Sequence, residues 1–158
     1  MDNTAESLVA SEGQIFLLLQ VREKPFALPL EQVRAVISVG RVTRIPHAPH
    51  EVRGVTNWRG RVLTLYDLRE VLGLPGEPVL ASYAVVLAPE GADLDVAIMA
   101  ERVREVRAIP EDLLQSLSPG GGLYHGVIDL GGHPVMVLDP KALLHRLAMA
   151  VLSPSSPG

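Results

Sequence analysis

The chain of 158 residues carries two copies of one sequence pattern. Residues 54–67 reappear as residues 126–139, with matching glycines, apolar positions and a closing aspartate. Upstream, residues 26–36 reappear as residues 96–106. A duplication of this kind predicts two similar modules in one fold, and the groove between such modules is a common place for a partner to bind.

Short apolar runs separated by turn residues predict that both modules are built mainly from strands. Hairpins are predicted at 52–66 and 123–138, turning at Gly60 and Gly132 because glycine readily adopts the positive φ of a tight turn. With tight turns between five short strands in each module, we expect an all-β fold with short helices, arranged as small closed or nearly closed barrels.

Each module is expected to end in a helix that an aspartate caps. Asp67 and Glu70 have the spacing of a capping box, and Asp139 precedes a proline at the first helical position. The predicted organisation is a flexible arm at 1–12, one domain at 13–152 and a disordered tail at 153–158. Within the domain we expect a first barrel at about 14–76, a second at about 79–140 and a closing helix at 140–152.

The composition excludes several classes of function. Net charge is −4 and aromatic residues are 4% of the chain, which argues against a nucleic-acid interface of basic and aromatic side chains. Cysteine is absent, so disulfides and thiol chemistry are excluded. The apolar runs are too short to span a bilayer and the N-terminus lacks a signal core, so we expect a cytoplasmic protein with no direct membrane insertion.

Asp67 and Asp139 raise the hypothesis of an aspartyl enzyme, because one carboxylate from each duplicated β module is how an aspartic-protease dyad is built. Those enzymes place a small hydroxyl residue and a glycine after the aspartate, whereas Leu68 and Pro140 follow here. Capping a helix is a sufficient structural role for both aspartates. The enzyme therefore remains the disfavoured alternative.

His47 and His50, with Glu51 beside them, have a spacing found in metal sites. They lie in a proline-bearing loop with no further ligand cluster nearby, so a solvated loop is favoured over a metal centre. The glycine run at 120–122 lacks the lysine of a phosphate-binding loop and indicates a linker. We therefore expect no metal and no cofactor.

Arg59 is the position at which the two copies differ most informatively. It stands beside the turn glycine of the first hairpin, whereas Gly131 occupies the equivalent position in the second. An arginine needed for the fold of the module would be expected in both copies, so the asymmetry favours a partner contact, although a solvated turn arginine fits the pattern equally well. Four valines also recur in pairs, as core residues or as a docking surface for a helix: Val33, Val36, Val103 and Val106.

The motif residues resemble those of the CheW family of chemotaxis coupling proteins. The resemblance rests on the segment 42–46, on Gly-Val-Thr-Asn-Trp-Arg-Gly at 54–60 and on Asp-Leu-Arg at 67–69, and it extends over about residues 14–147. It implies a CheW-like fold of two intertwined SH3-like five-stranded barrels without catalysis. The positions that match the structural motif are Gly54, Asn57, Gly60 and Asp67, with Gly126, Gly132 and Asp139 in the second copy.

The resemblance also implies partners. Such proteins join the cytoplasmic helices of methyl-accepting chemoreceptors to the regulatory domain of a CheA-type histidine kinase, and other CheW-like domains are possible partners in array rings. The receptor helix is expected in the groove between the barrels, and the kinase at loops and strand ends within about 38–66. The groove positions carried over from the family are Val33, Val36, Arg59, Ala84, Val85, Val103 and Val106.

Four positions depart from the family pattern. Trp58 replaces an aliphatic residue, Thr64 replaces a proline, Ala35 replaces a residue that is often acidic, and Pro29 replaces a polar residue. These departures raise an alternative hypothesis: an accessory protein of a specialised gliding or twitching pathway that keeps only one interface. The principal hypothesis remains an adaptor between receptors and kinase.

Overall fold

The computed structural model describes residues 13–78, 80, 83–88, 95–116 and 122–152, with only the backbone described for 148–152. The arm at 1–12 and the tail at 153–158 lie outside these residues. The prediction of an all-β fold with short helices is confirmed. In the first copy the elements are β1 (Gln14–Val21), β2 (Lys24–Pro29), β3 (Val33–Ser38), β4 (Val52–Trp58), β5 (Arg61–Asp67) and α1 (Leu68–Val71).

The second copy repeats this order with one further strand, Leu114–Ser116. Its elements are β6 (Tyr83–Leu87), β7 (Val96–Met99), β8 (Arg102–Ile109), β9 (Leu114–Ser116), β10 (Tyr124–Leu130), β11 (His133–Leu138) and α2 (Pro140–Leu152). Single 3₁₀ turns, Leu30–Gln32 and Glu111–Leu113, follow β2 and β8. None of the described helices is long and apolar enough to cross a bilayer.

Both sheets combine strands from both copies of the repeat. The six-stranded sheet has the order β8-β1-β2-β11-β10-β9, and the five-stranded sheet has the order β3-β6-β7-β5-β4. The hairpin β1–β2 therefore lies among strands of the second copy, and the hairpin β6–β7 lies among strands of the first. Each exchanged hairpin joins its host through a parallel pair, β2 with β11 and β7 with β5, while the other neighbours are antiparallel.

The predicted barrel ranges 14–76 and 79–140 consequently describe the two copies of the repeat and not the two sheets, because each copy gives its first hairpin to the other sheet. The six-stranded sheet also has a strand more than expected. This strand, β9, pairs Gln115 with Val127. At the equivalent place in the five-stranded sheet there is only an isolated bridge between Thr43 and Val55.

The larger hydrophobic core is shared by both sheets and both helices. It includes Leu17 and Leu19 of β1, the buried residues of β6 and β7, and Leu143 of α2. A smaller cluster, which includes Phe16 and Ile128, consists of buried residues from the six-stranded sheet alone. Residues of β1 alternate between the two clusters, as the period of two along a strand requires. The shared core therefore fixes the two sheets against one another.

Tyr66 belongs to the shared core and lies 5% exposed. Desolvation by burial, and then the carboxylate of Glu51, raise the pKa of the Tyr66 phenol above its usual value. The phenol therefore stays neutral at physiological pH.

Asp67 and Asp139 each cap the helix that follows them. The Oδ1 atom of Asp67 accepts a hydrogen bond of 2.9 Å from the backbone N–H of Arg69, and Oδ1 of Asp139 accepts one of 3.0 Å from Lys141. The capping box predicted for α1 does not form, because the N–H of Asp67 donates to the carbonyl of Glu51 instead. Glu70, the expected partner, pairs with the Arg69 guanidinium at 2.6 Å.

Candidate functional site

A cavity of about 570 Å³ lies where residues of the two sheets meet. We call it the inter-sheet cavity, and its walls are Leu80, Tyr83, Ala100, Glu101, Arg102, Val103 and Arg104. Tyr83 begins β6 in one sheet, whereas the residues from Arg102 onward belong to β8 in the other. A cavity thus lies at the junction of the two sheets, and of the seven predicted groove residues only Val103 lines it. Its rim is charged while part of its wall is apolar.

The four recurring valines lie on β3 and β8, which are edge strands of their sheets. Val33 and Val103 are partly buried against the shared core. Val36 and Val106 are 44% and 45% exposed, so each presents about half of its side chain to solvent. The core interpretation therefore suits Val33 and Val103, and the docking interpretation suits Val36 and Val106.

Val36 shares a sheet face with Tyr83. Across the antiparallel pair β3–β6, Val36 is opposite Val85 and Ser38 is opposite Tyr83. Opposite residues point to the same side, and so do alternate residues along one strand. The exposed face of β3 therefore continues towards the inter-sheet cavity through Tyr83.

Ala84 and Val85 are fully buried, so the expectation that they line a groove needs correction. Ala84 and Val85 belong to β6, a strand buried on both faces after its first residue, and both pack in the shared core. A residue without exposed surface cannot contact a docked helix directly. Their contribution to the groove is to hold Tyr83 and β3 in position.

Arg59 lies outside the inter-sheet cavity, at the turn of the β4–β5 hairpin. The two turn residues, Arg59 and Gly60, have φ values of 51° and 78°. A two-residue loop with positive φ at both positions is the type I′ turn, which favours glycine or asparagine. Gly131 and Gly132 fill the equivalent turn with φ values of 60° and 85°. Arg59 therefore adopts a left-handed backbone conformation that arginine disfavours.

Asn57 and Asp129 stabilise the equivalent turns in the same way. Oδ1 of Asn57 accepts a hydrogen bond of 3.2 Å from the Gly60 N–H, and Oδ1 of Asp129 accepts one of 2.8 Å from the Gly132 N–H. In both turns, the glycine N–H therefore donates to the side chain of the residue three positions earlier in the chain. Since neither contact uses the Arg59 side chain, the turn does not need an arginine.

Three of the positions that depart from the family pattern have clear structural roles. Trp58 packs against the shared core, and the Arg59 guanidinium carbon lies 5.2 Å from the centroid of its ring. The backbone N–H of Thr64 donates to the carbonyl of Asp95 at 2.9 Å, a bond that a proline could not make. Ala35 packs against the core on the face opposite Val36.

A second concave surface, of about 530 Å³, lies beside the β4–β5 hairpin. We call it the hairpin cleft, and it is lined by Ser38, Gly40, Arg41, Thr43, Val55, Thr56, Asn57 and Val62. The Thr56 hydroxyl donates to the Arg41 carbonyl at 2.7 Å, which attaches the loop to the strand. Val62 is 60% exposed at its edge. All of these residues fall within the range 38–66 that the resemblance implies for the kinase.

The candidate catalytic and metal-ligating residues do not assemble into a reactive centre in the described ranges. Asp67 is fully buried as a cap, and Asp139 is occupied by two N–H groups of α2. Among the residues that the structure describes, no group of three or more histidines, cysteines and acidic residues is placed to hold a metal ion. His47 and His50 instead line a further cavity, described below.

Sequence reasoning missed Leu80 and Tyr83, which are 88% and 55% exposed on the wall of the inter-sheet cavity. No functional role was expected for Tyr83 from the sequence, and Leu80 lies two residues after Pro78, in the segment between the two copies of the repeat. A large apolar residue next to a proline-rich linker is the signal that would have pointed to them.

Comparison with known proteins decides the family. The pattern of the CheW-like domain matches residues 16–148. The chain belongs to the CheW-like domain family. The chemotaxis protein CheW of Thermotoga maritima is 24% identical over 136 residues, which cover 84% of this chain and 89% of that protein. The protein PilI of Pseudomonas aeruginosa is 30% identical over 123 residues, covering 75% of this chain and 68% of PilI.

The fold agrees with a solved CheW structure. The crystal structure of the scaffolding protein TtCheW from Thermoanaerobacter tengcongensis superposes with a TM-score of 0.71, covering 80% of this chain and 89% of that one at 18% identity. At that identity the likeness shows the fold alone. The fold of this chain is thus CheW-like.

Proposed function

We propose that this CheW-like chain is a non-enzymatic adaptor of the cytoplasm that couples chemoreceptor tips to a CheA-type histidine kinase. An adaptor needs two separate docking surfaces on one rigid body. The observation that carries the proposal is that the chain, a CheW-like domain over 16–148, has the inter-sheet cavity and the hairpin cleft on a common core. The names of its relatives, chemotaxis protein and scaffolding protein, support the same role.

The receptor helix is assigned to the inter-sheet cavity and the adjoining face of β3. An amphipathic helix that docks in a groove presents apolar side chains at helical spacing to an apolar strip. Leu80, Tyr83 and Val36 are the exposed apolar side chains of this region, and Val103 forms the wall behind them. Glu101 and Arg102 supply the charged rim that would set the orientation of the helix.

The kinase is assigned to the hairpin cleft. Its exposed apolar residue is Val62, and its polar part is the loop around Arg41. Both surfaces rest on the same core, because Leu65 of the hairpin and Val85 of β6 belong to one cluster. A packed core transmits displacement between two surfaces, so the receptor state at one surface can bias the kinase at the other. Other CheW-like domains are the third class of expected partner.

We expect Val36→Glu to weaken binding of a receptor tip by about tenfold and to leave kinase binding unchanged. Val36 is half exposed, so the carboxylate can stay hydrated in the free protein and becomes desolvated only when the apolar helix docks. Titration of purified receptor tip and of the kinase regulatory domain, by calorimetry, gives both affinities.

Val62→Glu is the matched control. It introduces the same charge at an exposed valine of the other surface, and we expect the opposite result: weaker kinase binding and an unchanged receptor affinity. Equal effects of the two variants on both partners would show that the assignment of the surfaces is incorrect.

The family resemblance assigns Arg59 to the receptor contact although the residue lies outside the inter-sheet cavity. On that assignment we expect Arg59→Gly to reduce receptor affinity by about tenfold while the free energy of unfolding changes by less than about 1 kcal/mol. Glycine relieves the left-handed conformation, which offsets the lost contact between the guanidinium and Trp58. The variant reproduces the turn found at Gly131. Urea denaturation and receptor titration measure the two quantities, and a variant that binds normally would leave Arg59 as a solvated turn residue.

A second candidate is an accessory CheW-like protein of a specialised pathway that keeps one interface. The observation in its favour is the similarity to PilI, a relative that does not carry the CheW name. Normal binding to one partner and none to the other would support this candidate over the adaptor.

A further inference from the structure

A third cavity, of about 480 Å³, shares no lining residue with either docking surface. One wall is the loop before β4 together with its first residues, the other is the start of α1, and Pro78 of the linker closes one side. We call it the arginine cavity. Its charged and titratable residues are Arg44, His47, His50, Arg53, Asp67, Arg69 and Glu70.

One wall carries nitrogen-bearing side chains that have no partner among the described residues. Arg44, His47, His50 and Arg53 line the cavity, and no side-chain hydrogen bond or ion pair joins any of the four to another described residue. The other exposed arginines of the described chain include several that are paired, such as Arg107 with Glu105 at 2.9 Å. The two guanidinium groups of Arg44 and Arg53 around one concavity create a region of positive potential.

The backbone directs Arg53 into this region. Val52 is opposite Tyr66 and Gly54 is opposite Leu65, so Arg53 is the extra residue of a β-bulge. A bulge changes the direction in which a side chain projects, and bulges are frequent beside functional sites. The second copy has the same bulge with His125 in the equivalent position. Both copies therefore contain the bulge, and in the first copy its extra residue is Arg53, whose guanidinium is permanently charged.

The opposite wall holds a buried arginine that is incompletely satisfied. Arg69 is 4% exposed, and its Nη atoms reach the Leu74 carbonyl at 2.7 Å and the Glu70 carboxylate at 2.6 Å. Its Nε atom has no hydrogen-bond partner among the described residues. Buried donors are nearly always paired in native proteins, so this Nε atom is a donor available to an acceptor that binds beside it.

The loop wall also contains a strained residue. His47 has a φ of 64° and follows Pro46 in a turn closed by a 3.3 Å hydrogen bond from the N–H of Ala48 to the carbonyl of Ile45. Glycine or asparagine is preferred at that position, and a histidine there costs on the order of 1 kcal/mol. Backbone strain of this kind is concentrated at binding sites.

We propose that the arginine cavity binds a small oxyanion with at least two negative charges, as a phosphate ester or a polycarboxylate has. The walls carry three arginines and two carboxylates. Both carboxylates, Asp67 and Glu70, pair with Arg69. The excess positive charge therefore lies on Arg44 and Arg53. Arginine pairs with phosphate and carboxylate oxygens through two parallel hydrogen bonds. The volume suits a metabolite-sized ligand.

The test is a titration of the isotope-labelled protein with inorganic phosphate and, separately, with citrate, followed by the backbone amide signals. Sodium chloride at equal ionic strength is the reference in each case. We expect saturable shifts confined to residues 44–53 and 67–70. Saturation by phosphate alone would identify a phosphoryl ligand, by citrate alone a polycarboxylate, and by both a general oxyanion site.

The double variant Arg44→Ala, Arg53→Ala is expected to weaken the affinity by about a hundredfold, since each charge-assisted contact contributes about tenfold. The control is the double variant Lys24→Ala, Arg107→Ala, which removes the same charge from exposed positions of the six-stranded sheet and is expected to bind as the wild type does. Shifts that follow ionic strength alone, that map elsewhere, or that persist in the first double variant would overturn the proposal.

Discussion

Asp67→Asn is expected to lower the free energy of unfolding by about 3 kcal/mol, whereas Asp139→Asn is expected to lower it by less than about 0.5 kcal/mol. The two aspartates are equivalent in the repeat, and both accept N–H bonds at the start of a helix. Asparagine is as good an N-cap as aspartate, so capping alone predicts little change at either position.

The difference arises from what lies beside each carboxylate. Oδ2 of Asp67 is 3.7 Å from Nη2 of Arg69, and the two side chains are 1% and 5% exposed. Removing one member of a buried ion pair leaves the other charge without compensation, which costs about 3–5 kcal/mol. Glu70 remains beside Arg69, so the lower end of that range is expected. Asp139 is less buried and has no such charge beside it in the described structure.

Urea denaturation of the two variants measures both values, provided the slope of the transition is unchanged. Equal effects at Asp67 and Asp139 would contradict the role of the buried pair and leave capping as the common contribution.

Gly54→Ala is expected to cost about 3 kcal/mol or more of stability. A Cβ atom at this position would lie 2.4 Å from the carbonyl oxygen of Thr43, and the φ of Gly54 is 145°. Thr43 and Val55 exchange two backbone hydrogen bonds of 2.8 Å, so the side chain would separate the loop from β4. The backbone oxygen cannot rotate away as the end of a flexible side chain can.

Gly126→Ala is the matched control in the second copy. There the nearest atoms would be Cδ1 of Leu114 at 3.1 Å and the Gln115 carbonyl at 3.2 Å. A shift of a few tenths of an ångström relieves both contacts, so we expect a cost of about 1 kcal/mol. Because Thr43 and Val55 line the hairpin cleft, Gly54→Ala is also expected to weaken kinase binding. A Gly54 variant as stable as the Gly126 variant would contradict this explanation.

The sequence predicted the hairpins and the two capped helices because each depends on local signals. The turn at Gly60, the turn at Gly132 and the cap at Asp139 all come from residues a few positions apart. The exchange of hairpins between the sheets is not local. The pattern of β1 is the same whether it pairs with β3 or with β8, so the residues alone did not determine that each sheet contains strands of both copies.

In the candidate site, too, the sequence revealed some features and not others. Val36 and Val106 were recognised as a repeated pair, and their exposure suits a docking role. Ala84 and Val85 were carried over by position from the family pattern, and the unbroken apolar run of their strand gave no signal that both of its faces are covered. The arginine cavity was missed because folding brings the loop at 44–53 against residues 67–70, and because the bulge that redirects Arg53 has no turn signal in the sequence.

The most direct test of the adaptor function is a binding measurement with the purified full chain. The regulatory domain of a CheA-type kinase and a receptor cytoplasmic tip, both from the same organism as the chain, are titrated separately and then together. The proposed function predicts that each binds alone and that all three form one complex. Binding of neither partner, or displacement of one by the other at a shared surface, would contradict it.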